Sequence, residues 1–342
     1  MKAIYIKDHG NLDVLQYAEI DDPILMDGQV LVKIKAAGIN HLDIWVRKGL
    51  PNTKLPLPLV LGSDASGQII DTKGKVEGYA VGDKIVVQPG TFNSNCKKVK
   101  EGYENFSNSY GILGETQNGV QSEYVALDIK NIHPKSSHLS FEEAASMQLV
   151  FMTSYQMLVK RANIKKNDRV LIYGATSGVG SAAIQIAKYF GATVYTTVGD
   201  DSKIKHAKKM GADFIYKHDN KEWILEIKEE LKDNKIDIIF EHVGANTWND
   251  SLRLLAKGGR IVTCGATTGA SVQINLAHLF MKQQSILGST MSSIESFNEV
   301  MKLIENKIFF PFVDKVYNFS HIKDAHERIE QRNQFGKVVL IP

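Results

Sequence analysis

From residue 169 the sequence alternates strand-like and helix-like runs, and no other feature constrains the fold as much. The runs are RVLIYG, SAAIQIAKYF, ATVYTTV, SKIKHAKKM, DFIYK, WILEIKEELK, IDIIFEHVG, NDSLRLLAK and GRIVTCG. Strands joined through helices lie parallel, because antiparallel neighbours need only a short hairpin. Parallel sheets are covered on both faces, so the expected class is α/β, a doubly wound parallel sheet with helices on both sides. A longer helical run, FEEAASMQLVFMTSYQMLVKRA, precedes the alternation, with Ser140 as its N-cap and Glu143 three residues on.

Before residue 140 the pattern is different. VLVKIKAAG (Val30 to Gly38) alternates apolar and polar residues, as a half-buried strand does. LVLGSDASGQIID, GDKIVVQ and GVQSEYVAL read as further strands, with one short helix, HLDIWVRKG, among them. This part is expected to form a small, partly antiparallel β domain. The last fifty or so residues return to mixed character and end in the strand KVVLI. The net charge of +3, with no long block of one sign, gives no sign of nucleic-acid binding. No apolar run approaches membrane-spanning length, and MKAIYIKDHG alternates like a strand rather than a signal peptide. Two cysteines cannot build a disulfide framework, so a cytoplasmic location is expected.

The first strand–helix–strand unit carries the clearest chemistry. Its turn runs from Gly174 through Ala175, Thr176, Ser177, Gly178 and Val179 to Gly180. The spacing is G-x-x-x-G-x-G rather than G-x-G-x-x-G, yet each physical need is met. Gly174 permits the sharp turn, Gly178 lets the backbone approach a pyrophosphate, and Gly180 lets helix pack close on strand. The helix start offers unpaired N–H groups and partial positive charge to the anion. An NAD site usually places an acid roughly 20 residues past the glycines, on the ribose 2′-OH. Counting from Gly178 reaches Val198 and then Gly199, whose side chains accept nothing. Lys203 follows and offers charge to a 2′-phosphate, while Asp200 or Asp201 would favour NAD if turned inward.

At this point the chain resembles the medium-chain dehydrogenase/reductase superfamily, which includes zinc alcohol dehydrogenases and quinone oxidoreductases. The resemblance covers essentially the full length. It rests on AAGINHLDIWVRKG, LPLVLGSDASGQI, GILGETQNGVQSEYV, GATSGVGSAAIQIAKYFGA, LLAKGGRIVTCGATTGA and GKVVLIP. It implies a Rossmann domain inserted in a GroES-like β domain. The GroES-like part takes residues 1–150 and 293–342, and the Rossmann part 151–292. Many members hold a structural zinc through four cysteines in C-x2-C-x2-C-x7-C spacing. Those positions fall here on Asn93, Cys96, Val99 and Ser107, so one thiol of four is present. The catalytic zinc positions fall on Asn40, Ser63 and Leu149. Asparagine, serine and leucine do not make a zinc site, so no metal is expected.

Without zinc, simple alcohol–ketone exchange loses the Lewis acid that stabilises an alkoxide. Quinones and activated alkenes spread the incoming charge onto a phenolate or enolate oxygen, which hydrogen-bond donors can stabilise. The resemblance therefore points to NADPH-dependent reduction of a quinone or an α,β-unsaturated carbonyl, as in the zinc-free branch. The alternatives are an alcohol dehydrogenase and a cofactor-binding member without catalysis. On the family pattern, Asn40 and Thr153 lie at the nicotinamide end, Trp45 walls the pocket, and Asp43 either belongs to the site or only caps or pairs with Arg47. Val243 and Gly244, together with Cys264, Gly265, Ala266 and Thr267, line the cofactor. Lys203, Tyr216 and Arg332 match the lysine, tyrosine and arginine that hold the 2′-phosphate in zinc-free quinone reductases, and Gly199 matches as well. NADP is thereby favoured over NAD, and Arg332 requires the two domains to close over it. The apolar strand near SILGST would be a sheet edge in a monomer, so a homodimer is expected.

Overall fold

The computed structural model describes every residue except Asn52 and Lys221, and strand counts below refer to the described residues. The chain divides into two units, Met1–Val150 with Ser293–Pro342, and Phe151–Ser292.

The first unit is the GroES-like domain. Its main sheet has seven strands, six of them in the order Ile132–Pro134, Lys84–Val87, Asp64–Thr72, Gln29–Gly38, Lys337–Ile341, Val313–Asn318. The seventh, Tyr124–Asp128, also pairs with Gln29–Gly38. All these pairs are antiparallel except the last, where the strand following the Rossmann unit runs parallel to the C-terminal strand. Val30, Val32 and Ile34 are buried while Leu31, Lys33 and Lys35 are not, the period of two that a one-sided sheet requires. They join Ile4, Ile6, Ile85, Phe319 and Leu340 in one core.

The second unit is the Rossmann domain. Its six strands run in the order Phe214–Lys217, Thr193–Val198, Arg169–Ile172, Ile236–Glu241, Leu255–Thr263, Ser285–Gly288, every pair parallel. Five of the six residues of Thr193–Val198 are buried, as expected of a strand covered on both faces. Ser285–Gly288 is a sheet edge, and Leu276, Phe280 and Met281 just before it are exposed.

The long helix expected over 141–162 is interrupted. Phe141–Ala144 is one short helix, Gln148–Tyr155 a second, and Gln156–Arg161 a wider π-type turn. The Ser140–Glu143 capping box is present, with Glu143 N–H donating to Ser140 Oγ at 3.1 Å and Ser140 N–H to Glu143 Oε2 at 2.9 Å. The break has a tertiary cause. In a continuous helix the Leu149 N–H would point at Ala145 C=O; instead it donates to Asp64 Oδ1 at 2.9 Å. Ala145 O in turn presses on Gly38, where a Cβ would sit 2.3 Å from it.

The segment 89–108 keeps short local structure around the former zinc-lobe positions. Ser107 Oγ–H donates to Cys96 Sγ at 3.1 Å, and Cys96 N–H bonds Asn93 C=O at 3.1 Å. Hydrogen bonds thus tie three of the four positions, directly or through the backbone. The Ser107 hydrogen bond also draws the Cys96 thiol below its usual range.

Candidate functional site

The Rossmann unit gathers its candidate residues at the carboxyl ends of adjacent parallel strands, where doubly wound sheets bind ligands. After Arg169–Ile172 the chain turns at Gly174, whose φ of +66° suits glycine. Gly174 N–H donates to Thr197 Oγ1 at 3.2 Å and Ala175 N–H to Thr197 C=O at 2.9 Å, pinning the turn to the next strand. Ser177 caps the helix Gly178–Tyr189 by accepting Gly180 N–H at 2.9 Å. A Cβ on Gly180 would sit 2.2 Å from Gly174 O, so only glycine allows this closeness of helix and turn. By helix geometry the N–H groups of Gly178 and Val179 have no intrahelical partner, and with the helix dipole they suit a pyrophosphate. The turn therefore fits a dinucleotide. Ser154 Oγ–H donates to Val179 C=O at 3.1 Å, tying the segment that carries Thr153 to the turn. Thr153 itself is buried, with Oγ1 4.0 Å from Met291 Sδ.

Two neighbouring loops interlock beside this turn. Glu241 is fully buried and accepts Val243 N–H at 2.6 Å, Gly244 N–H at 3.0 Å and the Thr247 hydroxyl at 2.8 Å. Thr268 Oγ–H donates to Val243 C=O at 2.8 Å, and a Cβ on Gly244 would meet Gly269 O at 2.5 Å and Ala266 Cα at 3.0 Å. Gly265 and Thr267 belong to the same loop, where Gly265 C=O accepts Thr263 Oγ–H at 3.1 Å. Burial pushes the Cys264 thiol up to about 12, so it is not a nucleophile at neutral pH.

At the end of Thr193–Val198, Gly199 leaves an open backbone between two basic groups. A Cβ placed on it would lie 3.7 Å from His218 Nε2 and 3.8 Å from Lys203 Nζ. Asp200 and Asp201 have local partners: Asp200 accepts Ser202 N–H at 2.9 Å and lies 3.6 Å from Lys203, and Asp201 lies 3.2 Å from Lys217. Tyr216 is buried in the cluster with Trp223 and Tyr195, and burial raises its phenol well above the usual value. Arg332 lies in the other unit, at φ +58° just past the helix Ile322–Glu330. Sequence reasoning missed His218, because strand pairing rather than spacing brings it beside Gly199.

The GroES-like unit holds a buried polar network around Asn40. Asn40 precedes the helix His41–Lys48, and its N–H donates to Asp43 Oδ2 at 2.7 Å. Asp43 Oδ1 accepts Gly62 N–H at 3.1 Å, so Asp43 braces the loop carrying Ser63 and does not pair with Arg47. Burial pushes Asp43 up to about 7 despite these hydrogen bonds and the charge of Lys337. Arg47 goes to Glu330 at 2.9 Å and to His326 at 3.3 Å. Trp45 is half-buried and meets His41 edge-on, with ring centroids 5.1 Å apart.

The three catalytic zinc positions have other partners. Asn40 Nδ2–H donates to Asp64 Oδ2 at 3.0 Å, and Asn40 Oδ1 accepts from the Lys337 ammonium. Lys337 also donates to Asp64 Oδ2 at 3.0 Å. Ser63 Oγ–H donates to Leu113 C=O at 2.8 Å, and Leu149 contributes its backbone N–H to Asp64. Zinc needs several uncommitted N, O or S lone pairs and no adjacent cation. Asp64 is paired with the Lys337 ammonium, which is 5% exposed. The donor set does not fit a zinc ion, and among the described residues no three His, Cys, Asp or Glu side chains cluster in a metal-binding arrangement. Sequence reasoning also missed Lys337. The available signal was a lysine opening an otherwise apolar final strand.

Known proteins place this geometry. Residues 26–137 match the family model for the alcohol dehydrogenase GroES-like domain, and residues 178–306 that for zinc-binding dehydrogenase. The chain is 30% identical to an NAD-dependent alcohol dehydrogenase of Sulfolobus acidocaldarius, covering 99% of both chains. It is 29% identical to a quinone oxidoreductase of Homo sapiens, covering 100% of this chain and 98% of that one. A crystal structure of an NAD-dependent alcohol dehydrogenase superposes with a TM-score of 0.96 at 39% identity, over the whole of both chains. With the inserted parallel sheet, the glycine turn and the GroES-like unit, these likenesses make the chain an oxidoreductase of the medium-chain dehydrogenase/reductase superfamily.

Proposed function

We propose that this oxidoreductase uses NADPH to reduce quinones or α,β-unsaturated carbonyl compounds, without a metal. The observation that carries the reading is the engagement of all three zinc positions by protein partners around the Lys337–Asp64 pair. An alkoxide forming from a simple ketone is a strong base and calls for a Lewis acid or proton relay. An enolate or phenolate is far weaker, and neutral donors suffice to stabilise it.

When bound, the dinucleotide supplies a hydride. The turn from Gly174 to Gly180 would hold the pyrophosphate with backbone N–H groups. Lys203 and His218 flank Gly199 and favour a 2′-phosphate, which is the basis for preferring NADPH over NADH. The acceptor takes hydride at its electrophilic carbon, its π electrons move onto oxygen, and a proton from water completes the reduction. The hydride would come from the reduced dinucleotide and the proton from water, so electrons and protons balance. Asn40 contributes an amide N–H to the acceptor oxygen. The edge strand Ser285–Gly288, with the exposed apolar residues before it, supports a homodimer. Among the described residues no helix is long and apolar enough to cross a membrane, which accords with a cytoplasmic enzyme.

A second reading, an NAD-dependent alcohol dehydrogenase, draws on the likeness to proteins of that name. One assay separates the two. NADPH oxidation is followed with a quinone, an enone, an enal and an enoyl thioester, alongside NAD+ reduction with primary and secondary alcohols. Turnover confined to the first set supports the proposal, and turnover confined to the alcohols replaces it.

A further inference from the structure

The residue that defines this site is Lys337, which no metal pattern and no cofactor motif assigns. Its ammonium is buried, opens the strand Lys337–Ile341, and reaches two groups of the same unit, Asn40 Oδ1 and Asp64 Oδ2. Asp64 is fully buried and Asn40 is 5% exposed. Such a pair is costly to bury, and hydrophobic residues of similar size would be equally or more stable. Its consequence for Asn40 is specific. The amide oxygen is engaged by a cation, and one of the two Nδ2 hydrogens by Asp64. Among the described residues Nδ2 has no other acceptor, so one N–H remains uncommitted within the unit. Flipping the amide would set its NH2 against the ammonium and its oxygen against the carboxylate. The side chain is therefore held in the orientation that leaves one N–H uncommitted while its oxygen already accepts from a cation. A cation on the amide oxygen also draws electron density through the planar group and strengthens the remaining N–H as a donor.

We propose that Lys337, with Asp64, is a positioning residue that holds the Asn40 amide donor-outward and so fits the enzyme to acceptors whose oxygen gains negative charge. This rests on the reductase reading above and deepens it by naming what sets the substrate class. An alcohol O–H entering for oxidation needs an acceptor or base, and an amide oxygen already engaged by an ammonium is a poor one. A quinone or enone oxygen needs a donor, and the donor strengthens its hold as the oxyanion forms.

The test uses full-length protein. Lys337→Met/Asp64→Asn removes both charges together, so neither is left buried alone, and Lys337→Gln keeps a side-chain donor without the charge. Each is compared with wild type for thermal midpoint, for NADPH affinity by fluorescence titration without acceptor, and for kcat and KM with one quinone and one enone. The expected result is a folded double variant with NADPH affinity within about two-fold of wild type. Its kcat falls about 30-fold or more, with a smaller change in KM, the pattern of an interaction strongest in the transition state. Lys337→Gln is expected to lose about ten-fold in kcat, and Lys337→Arg, which keeps the cation, to recover most of it. If wild type reduces the panel and a folded charge-free variant keeps its kcat within about three-fold, the proposal falls and the reductase reading stands. If the double variant and Lys337→Gln both fail to fold, the pair is structural only, and the proposal falls likewise. If wild type reduces no member of the panel, the reductase reading falls and takes the proposal with it.

Discussion

The buried cluster of Arg47, His326 and Glu330 makes the GroES-like unit sensitive to acid, with a size that can be worked out. Arg47 and His326 are 1% and 0% exposed. Arg47 donates to His326 Nδ1 at 3.3 Å, so that nitrogen must carry a lone pair and the ring must be neutral. Burial, and then the adjacent guanidinium, push the imidazole from its ordinary 6.5 down to about 3. The unfolded chain binds this proton near pH 6.5 while the folded chain refuses it until about pH 3. The stability that neutral His326 contributes is therefore full above pH 6.5 and falls with pH through that window. One unit of pH is worth about 1.4 kcal/mol for one such group, so lowering the pH from 6.5 to 5 removes about 2 kcal/mol. Asp43, pushed up to about 7, takes up a proton in the folded unit over the same interval and acts with the opposite sign, so the His326 contribution is read as the difference between wild type and a His326 variant. Native-state hydrogen exchange of amides in His41–Lys48 and Ile322–Glu330 reads the opening free energy of this unit. His326→Gln, whose amide oxygen can accept from Arg47, should change the slope between pH 6.5 and 5 by about 1.4 kcal/mol per pH unit relative to wild type, toward greater stability at low pH. Parallel slopes for wild type and variant would refute the reasoning, since the lost stability would then come from other groups.

Three further outcomes are expected. Lys203→Ala and Arg332→Ala should each raise the KM for NADPH far more than that for NADH, by roughly ten-fold or more, since a charge-assisted hydrogen bond is worth about 1.5–3 kcal/mol; equal losses for both cofactors would point to the ribose instead. Gly180→Ala places a Cβ 2.2 Å from Gly174 O, so it should abolish NADPH binding by titration and lower stability by about 1–3 kcal/mol. Light scattering at micromolar concentration should give the mass of a homodimer, and a monomer mass would remove the interface assigned to the Ser285–Gly288 edge.

Periodicity carried the fold in the sequence because local signals dominate a doubly wound sheet. Most strands and helices of the Rossmann unit announce themselves within ten residues, and parallel pairing follows from the crossovers; the helix Leu276–Met281 did not, and the run NDSLRLLAK passes from helix into strand at Leu255. The continuous helix expected over 141–162 failed for a non-local reason: Asp64, 85 residues away, takes the Leu149 N–H. The glycine turn was legible because Gly174 and Gly180 have steric roles that composition reveals. Asn40 was legible as a position where a metal ligand was missing and, on the family pattern, as a residue at the nicotinamide end. What stands there instead was hidden, since Lys337 lies 297 residues from Asn40 and reads locally as a solvated strand-end lysine. Arg47 similarly suggested a helical pairing with Asp43, whereas its partners lie 279 and 283 residues on. Buried ionic groups draw partners from anywhere in the chain, so spacing along the sequence does not find them.

The central claim, reduction without a metal, is tested most directly by one measurement. Protein treated with a strong chelator and dialysed free of it is assayed for NADPH oxidation with a quinone and an enone. The account predicts turnover equal to that of untreated protein and no gain on adding zinc. Loss of turnover that zinc restores would contradict it, because the partners of Asn40 and Ser63, and the apolar side chain of Leu149, would then have to give way to a metal.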